Sequence, residues 1–329
     1  TYRFDSTEHI AQLFDMPTEF MYSRFANPTC DAVEKKLAVL EGGKAALLTS
    51  SGQAASLLSI LNICSAGDSF IAAAGIYGGT VNLFSVTLKR FGIECIWVSP
   101  DAAEADIQKK FKSNTRAVFG ETLTNPALAV CDIEKFARAA HANNVPLIID
   151  NTFATPYLCR PIEYGADIVM HSTSKYLDGH ALQCGGVIID SGKFNWANGK
   201  FPEFTSPDSS YHGVVYTEAF GDIAYIIKAR MQLMRDFGCY PSAHSAFLLN
   251  LGIETLPVRM RQYCENAQKV AEHFASSPKI LSVRYPGLKT DQYYSLAQKY
   301  LPKGSSGVIT ISIKGGREAA VRFMDSLKI

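Results

Sequence analysis

The stretch VMHSTSKYLDGH, residues 169–180, places Lys175 directly after an apolar run of the chain. The run predicts a buried strand, and Ser172, Thr173 and Ser174 put hydroxyl groups around its end. A setting of hydroxyls instead of carboxylates is poorly suited to a salt bridge, and apolar neighbours lower the pKa of an amine. An uncharged lysine is a nucleophile that can form a Schiff base with an aldehyde. Lys175 is therefore the first candidate catalytic residue.

Short apolar runs alternate with longer helical patterns on both sides of this stretch. Several runs are apolar throughout, as parallel strands covered on both faces must be. The pattern predicts an α/β fold with an open, mostly parallel seven-stranded sheet and helices on both faces. Ligands bind beyond the carboxyl ends of the strands in such sheets. The predicted strands are 45–50, 69–74, 94–99, 116–121, 146–150, 167–172 and 185–190, and the helices between them include 54–64, 80–91 and 133–143.

The composition argues against several classes of partner. The 32 basic and 31 acidic residues among 329 nearly cancel, so we expect neither nucleic acid nor a membrane as partner. Eight scattered cysteines without a C-x-x-C pair predict reduced thiols and a cytoplasmic protein. The seven histidines show no ligand spacing, so we predict no metal site.

The regions that flank the predicted sheet differ from it. A helix is predicted over residues 31–40, with Thr29 as its N-cap and Gly42-Gly43 as its stop. Residues 194–215 carry too many aromatic side chains for a solvated linker and are predicted to form an ordered loop. A long helix, 224–237, then leads to a smaller α+β domain.

Two further motifs follow predicted strands. TSSGQAA, residues 49–55, opens a helix, and its backbone N–H groups with Ser51 can cradle an anion, although such turns are common. Asp150 is either a turn cap or a carboxylate that pairs with a protonated ring nitrogen. Because Asp150 and Lys175 follow strands expected to be neighbours, both can reach one flat ligand. This placement favours the second interpretation.

The remaining candidates each allow two interpretations. Tyr77, in GIYGGT, is a core tyrosine or a ring that stacks on an aromatic ligand. Ser172 and Ser174 are strand-end caps or phosphate donors. Tyr22 and Arg24, in MYSRFANPT, belong to an exposed arm or clamp a phosphate in a neighbouring subunit.

Six blocks of the sequence together resemble the signature blocks of the Cys/Met-metabolism pyridoxal-phosphate enzymes. This family includes cystathionine γ-synthases, cystathionine lyases, methionine γ-lyases and O-acetylhomoserine sulfhydrylases. The blocks follow the family order and, with the sequence after them, extend the resemblance over nearly the whole chain. They are YSRFANPT, EGGKAALLTSSGQAA, IYGGT, ETLTNPAL, IIDNTFATP and HSTSKYLDGH.

The resemblance implies the fold-type I transferase architecture, pyridoxal 5'-phosphate (PLP) as cofactor and a homotetramer of two tight dimers. It implies that Lys175 binds PLP covalently and moves protons, that Asp150 pairs with the pyridine nitrogen, and that Tyr77 stacks on the ring. The other implied site residues are Gly52, Gln53, Ser172 and Ser174 at the phosphate, Asn125 near the phenolic oxygen, and Tyr22 and Arg24 from the adjacent subunit.

The domains implied by the resemblance are an N-terminal arm (1–43) that contacts a neighbouring subunit, a PLP-binding domain (44–237) and a C-terminal domain (238–329). We expect the last to be incomplete, because the chain ends in a helix just after the strand predicted over 307–313. The family's substrate-carboxylate arginine lies in later sequence that this chain lacks, so it is not assigned.

One branch of the family is favoured by the long segment that follows Lys175. FTSPDSSYHGVVYTEAFG (204–221), then KARMQLMRDFG (228–238), is similar to the O-acetylhomoserine sulfhydrylases. The activity implied is the conversion of O-acetyl-L-homoserine and sulfide to L-homocysteine and acetate. Methionine γ-lyase and cystathionine γ-synthase or γ-lyase chemistry are the alternatives.

Overall fold

Seven strands form one sheet in the computed structural model, which describes residues 2–15 and 20–328. All seven predicted strands are confirmed, and each differs from its predicted bounds by one residue at one end. The strands are β1 (Ala45–Thr49), β2 (Ser69–Ala73), β3 (Glu94–Val98), β4 (Thr115–Glu121), β5 (Leu147–Asp150), β6 (Ile168–Ser172) and β7 (Gly186–Asp190).

The strand order across the sheet is β1-β7-β6-β5-β4-β2-β3. Neighbouring strands from β6 to β3 are parallel, whereas β7 is antiparallel to both β1 and β6. The prediction of a mostly parallel α/β sheet is confirmed. The carboxyl ends of β4, β5 and β6 lie at one edge, where Glu121 is opposite Asp150 and Asp150 is opposite Met170.

Helices cover both faces of the sheet and continue beyond it. The helices predicted over 80–91 and 224–237 are each divided by a wider π-helical turn, Leu83–Thr87 and Ala229–Met234. The α-helices of the described residues are α1 (Thr7–Asp15), α2 (Pro28–Glu41), α3 (Gly52–Leu61), α4 (Gly78–Asn82), α5 (Leu88–Arg90), α6 (Glu104–Gln108), α7 (Ile133–His141), α8 (Thr155–Leu158), α9 (Pro202–Thr205), α10 (Tyr216–Phe220), α11 (Ala224–Lys228), α12 (Arg235–Phe237), α13 (Ala243–Glu254), α14 (Leu256–Ser276), α15 (Tyr294–Tyr300) and α16 (Gly316–Asp325).

Each face of the sheet has its own hydrophobic core. One core includes Leu37 of α2 and Phe136 of α7, and the other includes Leu58 of α3 and Tyr225 of α11. Strands β2, β5 and β7 are buried at every position because helices cover both of their faces. Burying one large apolar side chain contributes roughly 1.5–3 kcal/mol. The two cores together stabilise the sheet and thereby fix the positions of the side chains at its edge.

Helix α2 starts earlier than predicted. Asn27 is its N-cap, since Thr29 N donates to Asn27 Oδ1 at 3.0 Å. The prediction that Thr29 caps the helix is wrong, because Pro28 has the fixed φ that suits the first helical position. Gly42, at φ 75°, ends the helix as predicted.

Aromatic side chains order the segment after β7. Trp196 is 4% exposed and stacks on Phe204 and Tyr225, with ring centroids 4.7 and 5.0 Å away. Stacked rings exclude water from a large apolar area. The prediction of an ordered loop over 194–215 is confirmed.

A second, small sheet follows the long helix α14. Its strands β8 (Ile280–Arg284) and β9 (Thr310–Ile313) are antiparallel, and β9 begins later than the strand predicted over 307–313. The domain boundaries after residues 43 and 237 remain predictions. Within residues 2–15 and 20–328, no helix has both the length and the apolar character that a membrane crossing requires.

Candidate active site

A cavity of about 400 Å³ opens at the carboxyl ends of β4, β5 and β6. This volume lies in the usual range for small-molecule sites. The cavity brings together the predicted site residues except Tyr22 and Arg24. Those in its lining are Ser51, Gly52, Gln53, Tyr77, Asn125, Asp150, Ser172, Ser174 and Lys175.

The start of helix α3 forms one wall of the cavity. Ser51 caps this helix through its Oγ, which accepts from Ala54 N at 3.1 Å. The N–H groups of Gly52 and Gln53 lie in the first turn, where the helix offers them no acceptor and its dipole is positive. A Cβ on Gly52 would lie 2.6 Å from Ser172 Cβ, so only glycine allows this approach. The wall is suited to a phosphate.

Asp150 ends β5 and is 8% exposed. Its Oδ1 accepts two hydrogen bonds from Thr152, from N at 3.0 Å and from Oγ1 at 2.6 Å. Thr152 Oγ1 also accepts from Ser172 N at 2.8 Å. Burial raises the pKa of the Asp150 carboxyl, and the hydrogen bonds from Thr152 oppose that rise. Because both bonds use Oδ1, Oδ2 can accept from a ligand.

Tyr77 presents its ring beside the same wall. It lines the cavity and is 47% exposed, so the interpretation as a core tyrosine is wrong. A Cβ on Gly79 would lie 2.6 Å from Tyr77 Cε1 and 3.0 Å from Gln53 Nε2. The absence of a side chain at Gly79 thus leaves room for the ring, which offers the cavity a flat aromatic surface.

Lys175 lies on the turn that follows β6. The expectation that apolar neighbours partly desolvate it is wrong, because Lys175 is exposed at the cavity. The turn carries the lysine past the end of the strand, where the dense packing of the sheet stops. Ser174 helps to hold this turn, since its Oγ accepts from Gly185 N at 2.9 Å.

Arg259 of α14 holds the lysine turn from the other side. Its Nη1 donates to Tyr176 O at 2.7 Å, and its Nη2 donates to Leu177 O at 3.4 Å. Nη2 also donates to Gly252 O in α13 at 2.7 Å. Arg259 was not predicted because these partners are backbone carbonyls. Every residue has a carbonyl, so no sequence pattern indicates which ones an arginine binds.

Seven residues of the cavity lining were not predicted, and Glu121 and Thr152 are the two whose positions the sequence pattern indicates. The seven are Ser56, Thr80, Glu121, Thr152, Phe153, Met170 and Cys184. Glu121 is the last residue of β4, and Thr152 follows the end of β5. Their position beyond the carboxyl ends of predicted strands was the signal that could have identified them.

Tyr22 and Arg24 contact other parts of the chain. Tyr22 is 53% exposed, and Arg24 donates a hydrogen bond to Arg235 O. The Arg24 guanidinium also lies 4.9 Å from the ring centroid of Phe25. A role for the pair in a neighbouring subunit remains a prediction.

Comparison with known proteins identifies the family. Residues 1–329 match the family model described as Cys/Met metabolism PLP-dependent enzyme. The chain belongs to this family. An O-acetyl-L-homoserine sulfhydrylase from Leptospira meyeri is 46% identical over 340 residues, which cover 100% of this chain and 76% of that protein. A homocysteine/cysteine synthase from Saccharomyces cerevisiae is 44% identical over 318 residues, which cover 95% and 71%.

The fold of this family member is also shared with solved structures. A Campylobacter jejuni crystal structure that contains N'-pyridoxyl-lysine-5'-monophosphate matches with a TM-score of 0.96 and 36% identity. The match covers 99% of this chain and 81% of that chain. The predicted fold-type I architecture is confirmed.

The cavity residues fit PLP, the cofactor of the family. PLP has an anionic phosphate, a ring nitrogen that can carry a proton, and an aldehyde. The start of α3 suits the phosphate, and Oδ2 of Asp150 suits the ring N–H. Lys175 supplies a primary amine of the kind that an aldehyde binds. Each chemically distinct part of the cofactor therefore has a suitable partner.

Proposed function

We propose that the protein is a PLP-dependent transferase that converts O-acetyl-L-homoserine and sulfide to L-homocysteine and acetate, a step of methionine biosynthesis. The observation that carries the proposal is that 100% and 95% of this chain match a sulfhydrylase and a homocysteine/cysteine synthase, at 46% and 44% identity. The cavity supports it by combining an anion wall, a buried carboxylate, an exposed ring and a lysine.

The first task of the site is to hold PLP in one orientation. Asp150 Oδ2 would accept from the pyridine N–H, and burial of the carboxylate strengthens this interaction by keeping water away. The Tyr77 ring would stack on one face of the cofactor. The residues proposed for the phosphate are Ser51, Gly52, Gln53, Ser172 and Ser174, with Asn125 near the phenolic oxygen.

The second task is proton transfer at the substrate. Bound PLP withdraws electrons from the carbons next to the substrate amino group. Lys175 would attach the cofactor, and its Nζ would carry one proton at a time: it would accept the Cα proton, pass it to the bound cofactor, and then accept one from Cβ. An exposed lysine on a turn suits this role, because one amine must reach two carbons.

The replacement itself takes place at Cγ. Acetate leaves with the electron pair of the C–O bond, and hydrogensulfide forms the new C–S bond. Nζ of Lys175 would then return its proton to Cβ and carry the other from the cofactor back to Cα, so the enzyme ends with the protons it began with. Asp150 takes part in none of these proton transfers.

We also propose a homotetramer of two dimers in the cytoplasm, in which Tyr22 and Arg24 complete the phosphate site of the neighbouring subunit. The exposure of Tyr22 supports this assignment, since an exposed ring can contact another chain. The proposed units are the arm (1–43), the PLP-binding domain (44–237) and the C-terminal domain (238–329).

The test is a product assay with the PLP-loaded protein and its Lys175→Ala variant. O-acetyl-L-homoserine and O-succinyl-L-homoserine are each supplied with sulfide and with cysteine, and methionine and cystathionine are supplied alone. We expect homocysteine from the acetyl substrate and sulfide. Lys175→Ala should lose this activity and the visible absorbance of the lysine-bound cofactor.

The matched control is Lys193→Ala, because Lys193 is an exposed lysine outside the cavity. It should retain both activity and absorbance. Release of methanethiol from methionine, or cleavage of cystathionine, in place of homocysteine formation would move the protein to another branch of the family. Full activity of Lys175→Ala would remove Lys175 from the reaction.

A further inference from the structure

Glu121 is a buried carboxyl group in the cavity that the proposed reaction does not use. It ends β4, directly opposite Asp150 in the parallel register of β4 and β5. Only 4% of the residue is exposed, and it lines the cavity. Two carboxyl groups therefore lie side by side at the edge of the sheet where PLP is proposed to bind. Burying two neighbouring carboxyl groups costs free energy, so we expect the pair to have a structural or functional role.

The partner of Glu121 is the backbone of Tyr77. Glu121 Oε2 accepts from Tyr77 N at 2.8 Å. This bond holds the turn between β2 and α4, which contains Gly75 at φ 83° and continues into Gly78 and Gly79. A turn so rich in glycine has many accessible conformations, so an anchor at its one bulky cavity residue restricts it strongly.

The anchored N–H group belongs to the residue whose ring faces the cavity. The position of a ring depends on the backbone that carries it, and Tyr77 has two backbone neighbours, Ile76 and Gly78, of which only Ile76 is buried. The bond from Glu121 thus fixes the inner end of the side chain, while the space above Gly79 receives the outer end. Together they define one orientation of the Tyr77 ring.

The charge of Glu121 follows from its surroundings. Burial, and next the negative charge of Asp150, raise the pKa of the Glu121 carboxyl well above its ordinary value. This shift favours the neutral form of Glu121, and a neutral Glu121 removes one negative charge from beside Asp150. The oxygen of a neutral acid still accepts a hydrogen bond from a backbone N–H group.

We propose that Glu121 is a positioning residue that anchors the Tyr77 turn and thereby holds the Tyr77 ring against PLP. The proposal rests on the cofactor site described under the proposed function, but not on the identity of the substrate. Glu121 acts as a hydrogen-bond acceptor of the right size and not as a charge. Glutamine should therefore replace it, whereas a side chain without oxygen should not.

The test compares Glu121→Gln, Glu121→Ala, Tyr77→Ala and the double variant Glu121→Ala/Tyr77→Ala. Binding of pyridoxal 5'-phosphate to each apoprotein is measured by equilibrium dialysis, and visible circular dichroism reports the orientation of the bound cofactor. We expect Glu121→Ala to bind PLP about tenfold more weakly, as for the loss of one buried hydrogen bond. Glu121→Gln should stay within about twofold of the wild type. The dichroism of Glu121→Ala, but not of Glu121→Gln, should change.

The double variant shows whether Glu121 acts through Tyr77. If it does, Glu121→Ala should add nothing to the effect of Tyr77→Ala, because the ring it positions is already gone. Additive losses, or a Glu121→Gln variant as weak as Glu121→Ala, would overturn the proposal. If Glu121→Ala does not fold, Glu121→Met keeps the volume without the oxygen and gives the same comparison.

A matched control separates positioning from general stability. Glu34 is also buried, and its Oε1 accepts from Leu48 N at 2.8 Å, but it lies outside the cavity. Glu34→Gln should lower thermal stability and leave the dichroism of bound PLP unchanged. If Tyr77→Ala alone binds PLP normally, the proposed role of Tyr77 in the cofactor site fails as well. A normal Glu121→Ala beside a weak Tyr77→Ala refutes only the further inference.

Discussion

Asp190→Asn should stabilise the protein at neutral and alkaline pH without reducing its activity. Asp190 ends the antiparallel strand β7, so it lies at the sheet edge opposite the cavity, paired with Ala45 and Ile168. The residue is fully buried. Its Oδ1 accepts from Gly192 N at 2.8 Å, whereas Oδ2 has no hydrogen-bond partner among the described residues.

The size of the effect follows from the pKa of this carboxyl. Burial, helped by the nearby charges of Asp167 and Asp222, raises the pKa of Asp190 from 3.8 to about 7. A difference of roughly 3 pKa units corresponds to roughly 4 kcal/mol. The pKa of Asp190 is higher in the folded protein than in the unfolded chain. The contribution of this group to the free energy of unfolding is therefore fully present below the unfolded-state pKa and is lost as the pH rises through the folded-state pKa. The loss between pH 5 and pH 8 is roughly 3 kcal/mol.

The assay is urea unfolding of the wild type and Asp190→Asn at several pH values, with PLP and protein concentrations held constant. Asparagine keeps the acceptor for Gly192 but does not ionise. The free energy of unfolding of the variant, minus that of the wild type, should therefore grow by roughly 3 kcal/mol from pH 5 to pH 8. Asp325→Asn is the matched control, because Asp325 is exposed and is not among the charges that act on Asp190, so it should show little such change. A constant difference for Asp190→Asn would refute the reasoning.

Two substitutions near the cavity have equally specific outcomes. Thr152→Val removes the hydroxyl that donates to the Asp150 carboxylate, so PLP should bind roughly ten- to a hundredfold more weakly in equilibrium dialysis. Thr152→Ser keeps the hydroxyl and should bind PLP normally. Normal binding of PLP by the valine variant would contradict this role. Arg259→Lys replaces a planar group that reaches several carbonyls with a single ammonium, so the turn that carries Lys175 should become more mobile. The rate of amide hydrogen exchange at residues 175–179 should rise. An unchanged exchange rate would show that Arg259 does not hold this turn.

Strand positions could be predicted because parallel strands covered on both faces need uninterrupted apolar residues. β5 is apolar up to Asp150, and β7, although antiparallel, is also buried on both faces and is apolar up to Asp190. The direction of β7 could not be predicted, because an apolar run is the same in either direction. The cap of α2 was misplaced because Thr29 and Asn27 are both good caps, and only Pro28 between them indicates which one is used.

The cavity could be located from the rule that ligands bind at the carboxyl ends of strands. That rule correctly brought Asp150 and Lys175 to one cavity. The exposure of Lys175 could not be predicted, since it depends on how a turn leaves the sheet. Glu121 was missed although it ends a predicted strand, because its relation to Asp150 depends on which strands are neighbours in the sheet.

The antiparallel strand β7 has a consequence for how the protein is made. On the ribosome, β1 emerges before the other six strands of this sheet, yet among the described residues its one sheet neighbour is β7. The edge of β1 stays open until residues 186–190 have left the exit tunnel, and open strand edges invite wrong pairing. Because β7 lies between β1 and β6, this side of the sheet, where Gly52 of α3 approaches Ser172, is complete only when β7 is in place. Newly made chains should thus capture PLP late in translation and depend on chaperones before that point.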